Sequence, residues 1–266
     1  MEGILKKHAA VFEPGLGTAK AKLYPKKDAK PIFCRPRQVP YAIRQKVEQK
    51  IERQVAEGII EPVQFSEWAT PVVPVLKKNG SIRLCGDYKA TVNRATETDT
   101  YMYPLPIIDE MFTSVSGGKV FTKLDLAHAY QQVELDEESQ KMVTITTQRG
   151  LYKVKRLPFG VASAPSMFQR IMERLLQGIP GVTVFIDDIL ISGVNEEDNL
   201  DKLDQVLTRL EKADMRLKRV KCSHLLPSVD YLGYLISGAG IQPNSEKWKL
   251  CTRPLLRLTC PNSNPF

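Results

Sequence analysis

Residues 182–192 read VTVFIDDILIS: two adjacent carboxylates, Asp187 and Asp188, in an otherwise apolar run. Val182, Val184, Phe185 and Ile186 on one side and Ile189, Leu190 and Ile191 on the other are β-branched or bulky, which predicts strand, tight turn, strand. Ionised carboxylates in such surroundings are costly unless positive charge compensates them. A divalent cation at the hairpin tip meets that need. A plain polar turn between two buried strands accounts for the pair equally well, because aspartate favours turns.

A helix precedes this hairpin. Ser163 is placed to cap it, Pro165 fits its first turn, and Met167, Phe168, Ile171, Met172, Leu175 and Leu176 line one face before Gly178. A second amphipathic helix follows over Glu196–Ala213, with acidic residues in its first turn as the macrodipole prefers. Farther upstream, Tyr41–Glu57 carries Ile43, Val47, Ile51 and Val55 at steps of four between Pro40 and Gly58, a third helix. Residues 71–76 and 81–85 flank KKNG as a basic hairpin, and Met142–Thr147 and Leu151–Leu157 flank Gln148-Arg149-Gly150 as another. Lys119–Leu126, Arg216–Cys222 and Val229–Ile236 read as further strands. Short hairpins among these elements predict an α+β fold with an antiparallel sheet backed by helices. Residues 1–38, rich in Lys, Pro and Gly, read as an extended arm. Cys251–Phe266 has no usable period.

The chain has 266 residues, 42% hydrophobic and 26% charged, with a net charge of +8. It is globular, and its basicity favours an acidic partner, nucleic acid before anionic membrane. Five widely spaced cysteines (Cys34, Cys85, Cys222, Cys251, Cys260) and three histidines form no C-x-x-C or zinc pattern. That argues against a zinc site or disulfide framework and for a reducing compartment. MEGILKKHAA lacks the apolar core of a signal peptide, and no apolar run reaches membrane-helix length. An intracellular protein with no membrane contact is expected.

A third carboxylate matters more than the pair. Asp125 lies near the end of its own strand in FTKLDLAHAYQQV, again among apolar neighbours. Two strands presenting aspartates from apolar contexts are suited to converge on paired Mg²⁺ ions, which stabilise the attacking and departing oxygens of a phosphoryl displacement. Mg²⁺ prefers hard oxygen ligands, which agrees with the scarcity of His and Cys.

Four blocks, LDLAHAYQQV (124–133), LPFGVASAPSMFQ (157–169), VFIDDIL (184–190) and VDYLGYLIS (229–237), occur in this order, with RLCGDYKATVN and VAEGIIEP upstream. Together they resemble the palm of a reverse transcriptase, an RNA-directed DNA polymerase, from a gypsy-class LTR retrotransposon. The similarity runs from about residue 39 to residue 248. It implies a right-hand polymerase with fingers over 39–92 and 134–162 and palm over 93–133 and 163–240. The arm (1–38) precedes these, and a divergent, poorly ordered tail (241–266) follows, of which Cys251–Phe266 resembles a frameshifted or spliced continuation.

The same resemblance implies the site. Asp125, Asp187 and Asp188 would be catalytic and hold two Mg²⁺ ions, with Mn²⁺ able to substitute and the Leu126 carbonyl adding a ligand. Tyr130 would pack against the incoming sugar and exclude a 2′-hydroxyl. Arg83, with Lys77 or Lys78, would contact the triphosphate, and Phe159 and Gly160 would back the nascent base pair. Lys89 would touch the template, while Tyr231, Leu232, Gly233 and Tyr234 form a primer grip in which Gly233 lets backbone approach backbone. The basic stretches Arg149–Arg156 and Arg216–Lys221 would hold nucleic-acid backbones. The implied partners are an RNA or DNA template with primer and dNTPs. Thumb, connection and ribonuclease H regions would lie elsewhere on a Pol polyprotein, so a truncated, non-catalytic nucleic-acid-binding remnant is the alternative.

Overall fold

Four strands form an antiparallel sheet in the spatial order Ser223–Leu226, Val120–Asp125, Asp188–Gly193, Val182–Phe185. The structure, a computed structural model, describes residues 1–77, 80–97 and 103–244. Lys78 and the Cys251–Phe266 stretch lie outside the described residues.

Side chains alternate across this sheet as strand geometry requires. Thr122, Leu124, Ile189 and Ile191 face the helices Ala164–Leu176 and Glu196–Lys212, and Leu124, Ile189 and Ile191 are fully buried there. Thr122 Oγ1 donates to Asn199 Oδ1 on the second helix at 2.6 Å. Phe121 and Leu190 point the other way, into a smaller core with Met111, Phe112, Val115, Val229, Tyr231 and Ile236. That core joins helix Ile108–Val115 to a three-stranded sheet, Ser228–Tyr231, Tyr234–Ser237 and Gly240–Pro243. Burial of each large apolar side chain contributes about 1.5–3 kcal/mol, so the sheet is fixed from both faces.

A five-stranded sheet completes the architecture, in the order Ile60–Val63, Gly150–Val154, Ile145–Thr147, Thr70–Leu76, Ile82–Gly86. Its pairs are antiparallel except Thr70–Leu76 with Ile145–Thr147. Helix Tyr41–Ala56 packs on it through Val47 and Ile51. No helix among the described residues is long and apolar enough to cross a membrane.

Several local expectations are corrected. Residues 1–38 are not simply an extended arm: Glu2–Lys7 is helical, and His8, Val11 and Leu23 are buried. The His8 ring meets Glu211 at 2.7 Å and Asp204 at 3.1 Å, and Leu217 N–H donates to the Val11 carbonyl at 2.8 Å. One helical turn is too short to show a period, which is why the sequence hides it. Arg216–Cys222 is not a strand. It makes one bridge, Leu126 to Leu217, then a 3₁₀ turn over Arg219–Lys221. Val229–Ile236 is two strands, broken at Leu232 and Gly233. Ser163 occupies the cap position of its helix without a side-chain capping bond. The expected poorly ordered tail begins as a strand, with Gln242 paired to Leu235 and Pro243 to Tyr234.

Candidate active site

The antiparallel register sets Asp188 directly opposite Asp125 on the neighbouring strand and opposite Phe185 across its own hairpin. Directly opposed residues have Cα atoms roughly 4.5–5.5 Å apart and side chains on one face. Asp187 stands beside them in the two-residue turn Ile186-Asp187. The Leu126 N–H donates to the Asp187 carbonyl at 3.0 Å, tying the turn to the end of the Asp125 strand.

Ile186 takes φ 54°. A positive φ at the first turn position resembles a type II′ hairpin, a place glycine normally fills. For a β-branched residue this conformation costs about 1–3 kcal/mol and persists only where its surroundings impose it. Gln169, fully buried on the preceding helix, imposes it. Its Oε1 accepts from Ile186 N–H at 2.7 Å, and its Nε2 donates to the Val184 carbonyl at 2.8 Å and to Glu173 at 2.7 Å. Gln132, also fully buried, does the same for the other strand. It donates to the carbonyls of Ala127 and Arg216 and accepts from Arg216 N–H at 2.6 Å.

The charges are unevenly matched. Lys221 Nζ lies 2.8 and 3.1 Å from the two oxygens of Asp125, and Lys123 Nζ lies 3.2 Å from Asp188. Asp187 makes no ion pair among the described residues. Burial, followed by repulsion from Asp188 and Asp125, pushes its carboxyl above the ordinary range, against a lowering backbone hydrogen bond. The Lys221 ammonium is raised, first by its hydrogen bond to Asp125. Among the described residues no group of three carboxylate, imidazole or thiol side chains converges tightly enough to hold a metal ion in this arrangement.

Tyr130, half-buried, reaches this corner. Its ring meets Phe159 at 5.2 Å and Phe168 at 5.4 Å, and its phenol is raised by burial with a smaller contribution from the Asp187 charge. The exposed Arg83 guanidinium lies 5.0 Å over the Phe159 ring, so Arg83, Phe159 and Tyr130 form a continuous path. Gly160 has φ +100°, and a Cβ there would stand 2.7 Å from the Gly86 carbonyl, so only glycine fits. Lys77 and Lys89 are exposed and follow directly or closely on the strands Thr70–Leu76 and Ile82–Gly86.

The hairpin Tyr231–Tyr234 differs from expectation in two ways. Leu232 and Gly233 both have positive φ, 50° and 88°, as a type I′ turn demands. A Cβ on Gly233 would meet nothing within 4 Å, so its glycine serves the backbone angle and not close approach. Tyr231 is fully buried, and its hydroxyl donates to the Asp188 carbonyl at 3.2 Å. It supports the carboxylate strand from below and is not open to a primer. Tyr234 packs edge-on against Phe112 at 5.0 Å.

The basic stretches are largely committed within the chain. Arg149 pairs with Glu48 and Glu52, Lys153 and Lys155 with Glu61, and Arg156 with the Gly17 carbonyl. Arg216 binds Asp214 and the Ala10 carbonyl. Each of these five cations has an acidic or carbonyl partner that the linear sequence places far away or leaves unmarked. Sequence reasoning missed Gln169, Gln132 and the lysine contacts. A signal existed for Gln169, a polar residue three positions before Met172 on an apolar helix face, which demands a hydrogen-bond partner.

The reverse transcriptase (RNA-dependent DNA polymerase) family model matches residues 75–236. An uncharacterised protein of Caenorhabditis elegans is 37% identical over 89% of the chain, and the retrovirus-related Pol polyprotein from transposon gypsy of Drosophila melanogaster is 32% identical over 84%. The chain spans 19% and 22% of those two proteins. Among solved structures, the foamy viral protease-reverse transcriptase in complex with double-stranded DNA superposes with a TM-score of 0.82 at 23% identity. That match covers 99% of the chain and 45% of the viral protein. It is a likeness of fold.

Proposed function

The chain belongs to the reverse transcriptase (RNA-dependent DNA polymerase) family, and on that basis we propose that it extends a primer 3′-hydroxyl with dNTPs along an RNA or DNA template. The observation that carries this reading is the register of Asp125 against Asp188, with Asp187 in the adjoining turn and Tyr130 beside it. The donor set suits Mg²⁺ or Mn²⁺: hard carboxylate oxygens, with Asp187 half-buried and lacking a bonded cation among the described residues. Asp125, Asp187 and Asp188 would hold the ions, with the Leu126 carbonyl as a further oxygen donor. A bound pair of such ions supplies the positive charge that activates the primer hydroxyl and neutralises the departing pyrophosphate.

The chain's own residues mainly position and neutralise, as phosphoryl transfer requires. The exposed Arg83 fork suits a triphosphate, with Lys77 and Lys78 as candidate second contacts. Phe159 holds Arg83 from one side and Tyr130 from the other, and with Gly160 would back the new base pair. Lys89 is assigned to the template, and Leu232, Gly233 and Tyr234 to the primer. On this reading 39–92 and 134–162 are fingers and 93–133 and 163–240 palm.

The deciding experiment is primer extension on primed poly(rA), with dNTPs and then rNTPs. Incorporation of dNTPs supports the proposal. Salt-sensitive binding without incorporation would instead identify a nucleic-acid-binding remnant. Tyr130→Val opens the space beside the sugar and is expected to raise the rNTP-to-dNTP incorporation ratio by roughly 10–100-fold. An unchanged ratio, measured by single-nucleotide kinetics, would remove Tyr130 from the substrate contact.

A further inference from the structure

We propose that Lys221 and Lys123 are built-in counter-ions, which hold the carboxylates of Asp125 and Asp188 in the metal-free protein and are exchanged for divalent cation when the site loads. The proposal rests on the metal-site reading above and adds a step to it. Lys221 engages both oxygens of Asp125, at 2.8 and 3.1 Å. The Asp125 side chain is 11% exposed, whereas that of Lys221 is 52% exposed. The carboxylate is fixed and buried; the ammonium reaches it from solvent and can withdraw at little cost in packing.

Backbone geometry places Lys221 for this contact. Lys218 N–H donates to the Asp125 carbonyl at 2.8 Å, and Lys221 N–H donates back to the Lys218 carbonyl at 2.8 Å, closing the 3₁₀ turn beneath the carboxylate. Lys123 lies two residues before Asp125 on the same face of the sheet. It has other acceptors when it leaves Asp188: the Asp230 carbonyl at 3.5 Å and the Tyr231 ring at 5.7 Å.

Charge and distance make the contacts exclusive. A Mg²⁺ ion sits about 2.0–2.1 Å from its oxygen ligands. With an ammonium on the same oxygen, two positive centres would lie within about 5 Å of each other, a repulsive arrangement in a partly buried site. Without any cation, Asp125 would be a buried, unpaired carboxylate, which is also costly. The lysines cover the interval between those two states.

The test uses the whole chain and three readouts. In the wild-type protein, acetylation of Lys221 followed by mass spectrometry is expected to accelerate severalfold when Mn²⁺ is added, with exposed Lys218 as the internal reference. In Lys221→Met, Mn²⁺ binding followed by electron paramagnetic resonance is expected to tighten by about tenfold, against no more than about twofold in Lys218→Met, which controls for through-space charge. The metal-free melting temperature of Lys221→Met should fall and recover when Mn²⁺ is added. Weaker or unchanged Mn²⁺ binding in Lys221→Met, or Lys221 acetylation insensitive to Mn²⁺, overturns the exchange. Should Lys221→Met fail to fold, the wild-type acetylation result decides. Wild-type protein that binds no Mn²⁺ overturns the metal-site reading itself, and the exchange with it; Mn²⁺ binding that responds to Asp187→Asn but not to Lys221→Met overturns the exchange alone.

Discussion

Asp187→Asn is expected to lower dNTP incorporation by about three orders of magnitude, while primer-template affinity stays within about twofold, since duplex binding rests on backbone contacts made elsewhere. The amide keeps the shape of the side chain and removes the one carboxylate of the three that, among the described residues, has no bonded ammonium. The same substitution should make the metal-free protein more stable. Burial and two neighbouring carboxylates hold the Asp187 carboxyl above its ordinary range. Such a group favours the fold while protonated and loses that contribution as pH rises through its folded-state value. At neutral pH its ionised form therefore opposes folding, and asparagine relieves the opposition. Mg²⁺ should raise the melting temperature of the wild type but much less that of the variant. Undiminished synthesis by Asp187→Asn, in single-turnover extension, would overturn the assignment of the site.

Gln169→Met tests the support of the hairpin. Methionine nearly matches glutamine in volume, so the change removes the hydrogen bonds to Val184, Ile186 and Glu173 with little change in packing. Two buried backbone groups lose their partners, at about 1–3 kcal/mol each. At about 2–4 °C per kcal/mol for a chain of this size, the melting temperature should fall by roughly 5–15 °C. The effect on synthesis should exceed what instability explains, because the strained Ile186 turn then relaxes and carries Asp187 away from Asp125. A displacement on the order of 1 Å can cost about 10²-fold in rate. Thermal melts and extension assays well below the melting point separate the two effects. A variant that melts low but extends normally would show that Gln169 only stabilises.

What could be read beforehand was what depends on short-range pattern. The β-branched and bulky residues flanking the aspartate pair in VTVFIDDILIS gave the hairpin, though not which face each side chain takes. Periods of four gave helices at Tyr41–Ala56 and Glu196–Lys212 to within a residue or two. The apolar strand context singled out Asp125, which the structure then set opposite Asp188. What escaped detection depends on pairings across long separations. Lys221 meets Asp125 from 96 residues away, Gln132 meets Arg216 from 84, and His8 meets Glu211 from 203. The 3₁₀ turn at Arg219–Lys221 leaves no periodic trace, and a burial-driven role for Tyr231 cannot be distinguished from a surface role by residue type alone.

The cross-strand pairing of Asp125 with Asp188 also limits how this gene can change. Deleting or inserting a single codon between Val182 and Asp188 would, with the turn held, shift every later side chain of the hairpin to the opposite side of the sheet. Ile189 and Ile191 would leave the helix-facing core, and Asp188 would turn from Asp125, in the same event. Copies bearing such a lesion should therefore lose folding and chemistry together, whereas substitutions can remove either one alone.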